Sequence, residues 1–305
     1  MHPALRKLLR PAYRALTGNA VIRRVVDRAI AARDTDAILA RRRAQAFVEG
    51  NAGSAYGVTR EQRAALVQAF ENITRNVESG TAAVVHTVLA EAVLSIPPDV
   101  EGVVVECGAW KGASAAALSH ACALVNRKLV ICDSFEGLPD DGGDRHVGLH
   151  TGVYGHYEAG MFAGTEAEVG ETLKRYGKPD TCEFLTGFFA ESLKDWDRPV
   201  AFAFLDVDLA ASTRDALRAL WPHLVEGGYV YSDDAGDLDV VKVFFNDPWW
   251  RENLDCPAPG FVGSGCGLPL RASYSAIGYT RKLTHFDPAD WRRVPFLVYP
   301  ESDAR

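Results

Sequence analysis

From residue 100 onward, short uninterrupted apolar runs alternate with longer segments of helical spacing. The runs cover 102–107, 128–133, 182–186, 200–206 and 228–232, and the segments between them cover 113–125, 165–176, 188–194 and 212–224. A strand whose apolar residues do not alternate with polar ones is buried on both faces, and strands separated by helices pair in parallel. The pattern predicts a doubly wound α/β fold. One more helix follows at 240–251, then a Pro- and Gly-rich loop at 256–269 and a candidate edge strand at 274–279. Residues 1–95 read differently. Apolar positions repeat at helical spacing, a Gly/Ser/Asn break falls at 50–57, and Thr59 with Gln62 forms a capping box for a helix running to about Ser79. Gly80 ends that helix, and a second one reaches about Ser95 before Pro97-Pro98. The chain therefore divides into a helical extension, 1–95, and an α/β domain, 96–305.

In an open parallel sheet the ligand binds beyond the carboxyl ends of the strands. Four of the apolar runs here lead into carboxylates: Glu106 in the first, Asp133 in the second, Asp206 and Asp208 in the fourth, Asp233 and Asp234 in the fifth. A buried core alone does not predict this. Glu106 precedes the turn Gly108-Ala109-Trp110-Lys111-Gly112, where glycines let a backbone approach a ligand closely. A dinucleotide site wants a glycine where Trp110 stands, and a carboxylate beside a pyrophosphate would repel it. A ligand with an amino group and a sulfonium, such as S-adenosylmethionine (SAM), suits Glu106 better. Ser114 and the amides near Gly112 can hold its carboxylate. Asp133, followed by Ser134, stands where an acid accepts both hydroxyls of a ribose, or else caps its own turn. Asp206, Asp233 and Asp234 fall at neighbouring strand ends and repel one another unless a cation lies among them. Oxygen ligands of this kind suit Mg²⁺, which would lower the pKa of a substrate hydroxyl.

Charge narrows the partners. The chain has 33 basic and 40 acidic residues, a formal net charge of −7. Residues 1–43 hold 11 basic groups against three acidic ones, leaving the remainder at −15. So acidic a body does not suit a protein that grips nucleic-acid phosphates. No apolar run reaches the length of a membrane-spanning helix, and the first 20 residues lack the apolar centre of a secretory signal. The six cysteines include no C-x-x-C pair, which fits a reduced, cytoplasmic protein without a disulfide framework. The basic segment reads as a helix docking on the acidic body of its own or a neighbouring subunit, hence a homo-oligomer.

The runs Glu106-Cys-Gly-Ala-Trp-Lys-Gly112, Asp133-Ser-Phe-Glu-Gly-Leu-Pro139, Leu205-Asp-Val-Asp-Leu209 and Gly227-Gly-Tyr-Val-Tyr-Ser-Asp-Asp234 resemble the macrocin O-methyltransferase family over roughly residues 60–250. The resemblance implies a class I, seven-stranded, SAM- and Mg²⁺-dependent enzyme acting on a hydroxyl of a small polyhydroxy or glycosylated molecule. It implies SAM contacts from Glu106, Gly108, Ser114 and Asp133, with Trp110, Gly112 and Ser134 in the same turns, and metal ligation by Asp206, Asp233 and Asp234. Asp206 is the first candidate for the catalytic base. The related catechol-type enzymes carry a lysine where this chain has Leu209. Ala210, Ala211 and Ala235 depart from the family pattern on the substrate side. The stretch 140–160, with His146, His150 and His156, reads as a lid whose histidines can also serve as base. A nicotinamide-dependent oxidoreductase and a non-catalytic member of the same fold are the competing readings.

Overall fold

The structure is a computed structural model that describes residues 38, 40–140, 145–149, 154–264 and 277–283. The basic segment up to residue 37, and the first part of the expected edge strand, lie outside the described residues. A helical run over 40–49 leads to a short 3₁₀ turn, Ser54–Tyr56. Helix α1, Arg60–Asn76, opens with the expected capping box: Gln62 N donates to Thr59 Oγ1 at 3.3 Å, and Thr59 N donates to Gln62 Oε1 at 2.8 Å. It ends three residues before Ser79. Helix α2, Ala83–Leu94, is apolar on nearly every face because it packs between α1 and α3, Ala113–Leu124.

The strands are β1 (Val103–Cys107), β2 (Leu129–Asp133), β3 (Arg145–Val147), β4 (Tyr154–His156), β5 (Cys182–Thr186), β6 (Val200–Leu205), β7 (Leu224–Ser232) and β8 (Gly278–Arg281). Strands β3 and β4 form a separate antiparallel hairpin. The main sheet has the order β5-β2-β1-β6-β7-β8, parallel throughout except for β8. The described residues thus supply six of the seven strands that the resemblance implies. Helices α4 (Glu166–Tyr176), α5 (Phe189–Ser192), α6 (Ala210–Leu220), α7 (Leu238–Val243) and α8 (Asp247–Leu254) complete the framework. Among the described residues no helix is long and apolar enough to cross a membrane.

The two faces of the sheet bury two separate cores. Val104, Leu129, Ile131 and Phe204 pack with the helices α1–α4, while Val105, Val130, Ala203 and Leu205 pack against the side that carries Leu217 of α6, Val240 of α7 and Trp250 of α8. This two-sided burial is why the strands read as unbroken apolar runs. The helix expected over 240–251 is instead two helices. Asn246 caps the second by accepting from Trp249 N, and Pro248 has no amide to continue the first. Strand order reverses between β1 and β6, so their carboxyl ends open a crevice.

Arg63 holds the segment before α1 in place. It is 6% exposed, and its guanidinium donates to the carbonyls of Val48, Ala52 and Val58 at 3.1, 3.2 and 3.0 Å. Arg63→Met keeps the aliphatic stem but strands three carbonyls. It should cost about 3 kcal/mol, read as a lower urea midpoint at unchanged slope; an unchanged midpoint would show that the loop needs no such anchor.

Candidate active site

A cavity of about 750 Å³ opens at the carboxyl ends of β1, β2, β6 and β7, a size that suits a small-molecule site. Its first wall is the turn after β1. Gly108 has φ 88°, and a Cβ on it would lie 1.9 Å from the Asp206 carbonyl oxygen, so only glycine fits. Trp110 is also left-handed, with φ 44°, and packs edge-on against Phe162 with centroids 5.6 Å apart. Asp133 fastens this turn from the neighbouring strand. Its Oδ2 accepts from Ala109 N at 2.6 Å and Trp110 N at 3.3 Å, and its Oδ1 accepts from Phe135 N at 2.7 Å. Asp133 therefore lines the cavity and caps its turn at once. Ser134 Oγ donates to the Gly137 carbonyl at 2.9 Å and accepts from Glu136 N at 3.1 Å.

The second wall is acidic. Asp206, Asp208, Asp233, Asp234 and Asp237 all line the cavity. Asp234 Oδ2 accepts from Val207 N at 3.3 Å and Asp208 N at 3.2 Å, which binds the β6 and β7 ends together. Burial first, and then the neighbouring carboxylates, push Asp206 and Asp234 well above the usual carboxylate range. Asp237 is the N-cap of α7, accepting from Asp239 N at 2.9 Å and Val240 N at 3.3 Å. Among the described residues lining the cavity Lys111 is the only basic side chain, and it pairs with Glu168 at 3.1 Å. Burial and the mutual repulsion of Asp206 and Asp234 with their acidic neighbours are a condition that a divalent cation would relieve. In their present positions, however, no three Asp, Glu, His or Cys side chains among the described residues form a metal-holding group.

Three parts of this site were absent from the sequence reading or only half visible in it. The segment 78–81 between α1 and α2 reaches the acidic wall, where Thr81 Oγ1 donates to Asp206 Oδ2 at 3.4 Å. No spacing rule connects residues 125 apart. The β3–β4 hairpin is tied to the turn after β7 by Leu149 N donating to the Gly236 carbonyl at 2.7 Å, and it brings Tyr157 into the cavity. Burial, followed by Asp208 and Asp234, raises the Tyr157 phenol, so it stays protonated and acts as a donor. Phe162 and Phe188, 40% and 38% exposed, form an apolar rim. Of the candidate histidines, His156 lies on the exposed surface 3.9 Å from Glu158 and does not line the cavity. The side chains of His146 and His150 lie outside the described residues. Leu209, at the lysine position of the catechol-type enzymes, is buried.

The family model for macrocin O-methyltransferase (TylF) matches residues 81–259. The chain belongs to that family. It is 33% identical over 186 residues to 8-demethyl-8-(2,3-dimethoxy-alpha-L-rhamnosyl)-tetracenomycin-C 4'-O-methyltransferase of Streptomyces olivaceus, covering 59% of this chain and 68% of the relative. It is 33% identical over 148 residues to demethyldecarbamoylnovobiocin O-methyltransferase of Streptomyces niveus, covering 45% of this chain and 53% of the relative. The solved structure of the O-methyltransferase NovP superposes with a TM-score of 0.56 at 19% identity, over 72% of this chain and 97% of that one, and so shares its fold. As a member of the family the chain is an enzyme of the methyltransferase class.

Two residues expected at the cofactor, Glu106 and Gly112, do not line the cavity, whereas Gly108, Trp110, Ser114, Asp133 and Ser134 do. Gly112 is the left-handed N-cap of α3, and a Cβ on it would lie 2.9 Å from Val169 Cγ1. Glu106 is fully buried on the α3 side of the sheet, in register with Ile131 and Phe204. Neither of its oxygens meets a partner in hydrogen-bonding geometry. Burial raises its pKa to about 8; the Ser114 hydroxyl opposes part of the shift, and Asp133 adds to it.

This raised value links to stability. The folded protein keeps the Glu106 proton up to about pH 8, while an unfolded glutamate releases it near 4.5. Between those values the folded state holds more protons, so stability falls as pH rises, by about 1.4 kcal/mol per pH unit from this group. Glu106→Gln has no proton to lose. Its stability relative to wild type should climb steadily across that window in urea unfolding, and parallel curves for the two proteins would refute the protonated state.

Proposed function

We propose that the protein transfers the methyl group of SAM to a hydroxyl of a glycosylated or polyhydroxy natural product, with Mg²⁺ at the acidic wall. The observation that carries this reading is one cavity in which the Gly108 turn faces a row of aspartates, two of them, Asp206 and Asp234, buried and pushed well above the usual carboxylate range. The relatives are named for methylating a rhamnosyl tetracenomycin and a novobiocin precursor, and they support this class of acceptor.

The donor set fits SAM. Gly108 opens the backbone to close approach, Ser114 offers a hydroxyl, Asp133 keeps lone pairs for a ribose, and the acidic lining favours a sulfonium. For Mg²⁺ the chemistry of the donors fits, since Asp206, Asp233 and Asp234 are hard oxygen ligands, and Asp233 raises the pKa of both Asp206 and Asp234; these three would hold the ion after drawing closer together. When bound, SAM supplies an electrophilic methyl group and Mg²⁺ acidifies the acceptor hydroxyl. The chain does the rest. Asp206 would accept the proton from the acceptor hydroxyl, and burial strengthens it as a base. Trp110, Phe162 and Tyr157 shield the cavity from water, and the two walls align the hydroxyl oxygen with the methyl carbon. Residues 1–95 serve the acceptor side and the assembly of a homo-oligomer, while 96–305 form the methyltransferase domain; the reach of the 78–81 segment into the cavity supports the first role.

Asp206→Asn should lower kcat by about 10²–10⁴-fold and leave SAM affinity by calorimetry near the wild-type value. Formation of S-adenosylhomocysteine should also stop when a chelator is added and resume with Mg²⁺. Full activity of the Asn variant would remove Asp206 from the mechanism, and chelator-resistant turnover would remove the metal.

A further inference from the structure

We infer that Thr81 is the positioning residue for Asp206, fixing the carboxylate that receives the acceptor proton. The inference rests on the methyl-transfer reading and extends it to the segment between α1 and α2. Thr81 is 4% exposed and lines the cavity. Its hydroxyl lies within hydrogen-bonding distance of the Asp206 carboxylate, with 3.4 Å between Oγ1 and Oδ2. That distance is long for a hydroxyl donor, and such contacts often tighten only when substrate is bound.

The local fold is built to hold this hydroxyl in place. Ser79 Oγ accepts from Thr81 N at 3.1 Å and donates to the Thr81 carbonyl at 2.9 Å, closing a small loop just before α2. Helix α2 is itself clamped between α1 and α3, so the loop has a rigid base. On the other side, Asp206 N donates to the Cys107 carbonyl at 2.9 Å, which fixes the Asp206 backbone. Thr81 adds a contact to the side chain itself, at Oδ2. Holding Oδ2 in this way turns Oδ1 toward the acceptor or a cation. Partners of this kind, one step removed from the reacting atoms, typically change metal affinity or rate by 10–100-fold.

The test compares Thr81→Val, which keeps the shape without the hydroxyl, with Thr81→Ser, which keeps the hydroxyl. Thr81→Val should lower kcat by about 10–100-fold, with the KM for SAM and the melting temperature unchanged, and Thr81→Ser should restore most of the rate. Calorimetric titration with Mg²⁺ alone should show weaker binding in the Val variant by a similar factor. A Val variant with wild-type kcat and wild-type Mg²⁺ affinity overturns the role of Thr81 while methyl transfer stands. A Val variant that melts early, with Ser failing to rescue, assigns Thr81 to folding alone and likewise overturns it. Wild-type protein that neither transfers methyl nor binds Mg²⁺ overturns the functional reading and this inference together.

Discussion

The backbone of Gly108 runs so close to the Asp206 carbonyl that no side chain fits between them. The rest of the site depends on this approach. It joins the end of β1 to the end of β6 where strand order reverses, so the cofactor turn and the acidic wall share one cavity. A Cβ at Gly108 would force the two strand ends apart and carry Trp110 and Asp133 away from Asp206. Asp133 secures the same point from β2 through three backbone amides. A single contact thus sets how far apart the Gly108 turn and the acidic wall lie, the separation on which the proposed in-line transfer would depend.

The carboxylates tell a second story. A formal charge of −7 says little by itself, but several of those acids are buried beside one another at the ends of β6 and β7. Burying like charges is costly, and a folded protein retains such an arrangement only where a ligand offsets it or where the groups stay protonated. Both solutions occur on neighbouring strands here. Asp206 and Asp234 face the cavity, where a cation can reach them, whereas Glu106 lies under α3 away from the cavity and keeps its proton. One stretch of sequence, Glu106 to Gly108, therefore contributes a neutral acid to the core and a bare backbone to the site.

Much of this was legible in the sequence because it depends on local rules. Unbroken apolar runs gave away the two-sided sheet, Thr59 with Gln62 marked the start of α1 correctly, and acids at the strand ends located the cavity. Direction within a strand was not legible. Alternation in β1 sends Glu106 to the α3 face, and a strand apolar on both faces hides that alternation, so the burial of Glu106 was not legible. Long-range approaches were equally hidden. Thr81 comes to Asp206 through the packing of α2, and Tyr157 comes to Asp208 through the tie between Leu149 and Gly236. The break within 240–251 was readable in principle, since Asn246 and Pro248 are a cap and a helix starter.

Part of the backbone strain lies at the same place. Outside glycine, left-handed φ values occur among the described residues at Trp110, Asn126, Phe135, Phe162, Asp208 and Asp255, and three of these six line the cavity. Each such residue costs about 1–3 kcal/mol and persists only where its surroundings over-determine it. The surroundings here are specific. Asp133 accepts from Trp110 N, Asp234 accepts from Asp208 N, and Phe162 is held between the rings of Trp110 and Tyr157. Three of these residues are thus linked across the cavity from the Gly108 turn, through the aromatic rim, to the acidic wall. A ligand that pressed on Trp110 would be felt at Tyr157 through Phe162, so the same contacts that hold the strain also connect one wall of the cavity with the other.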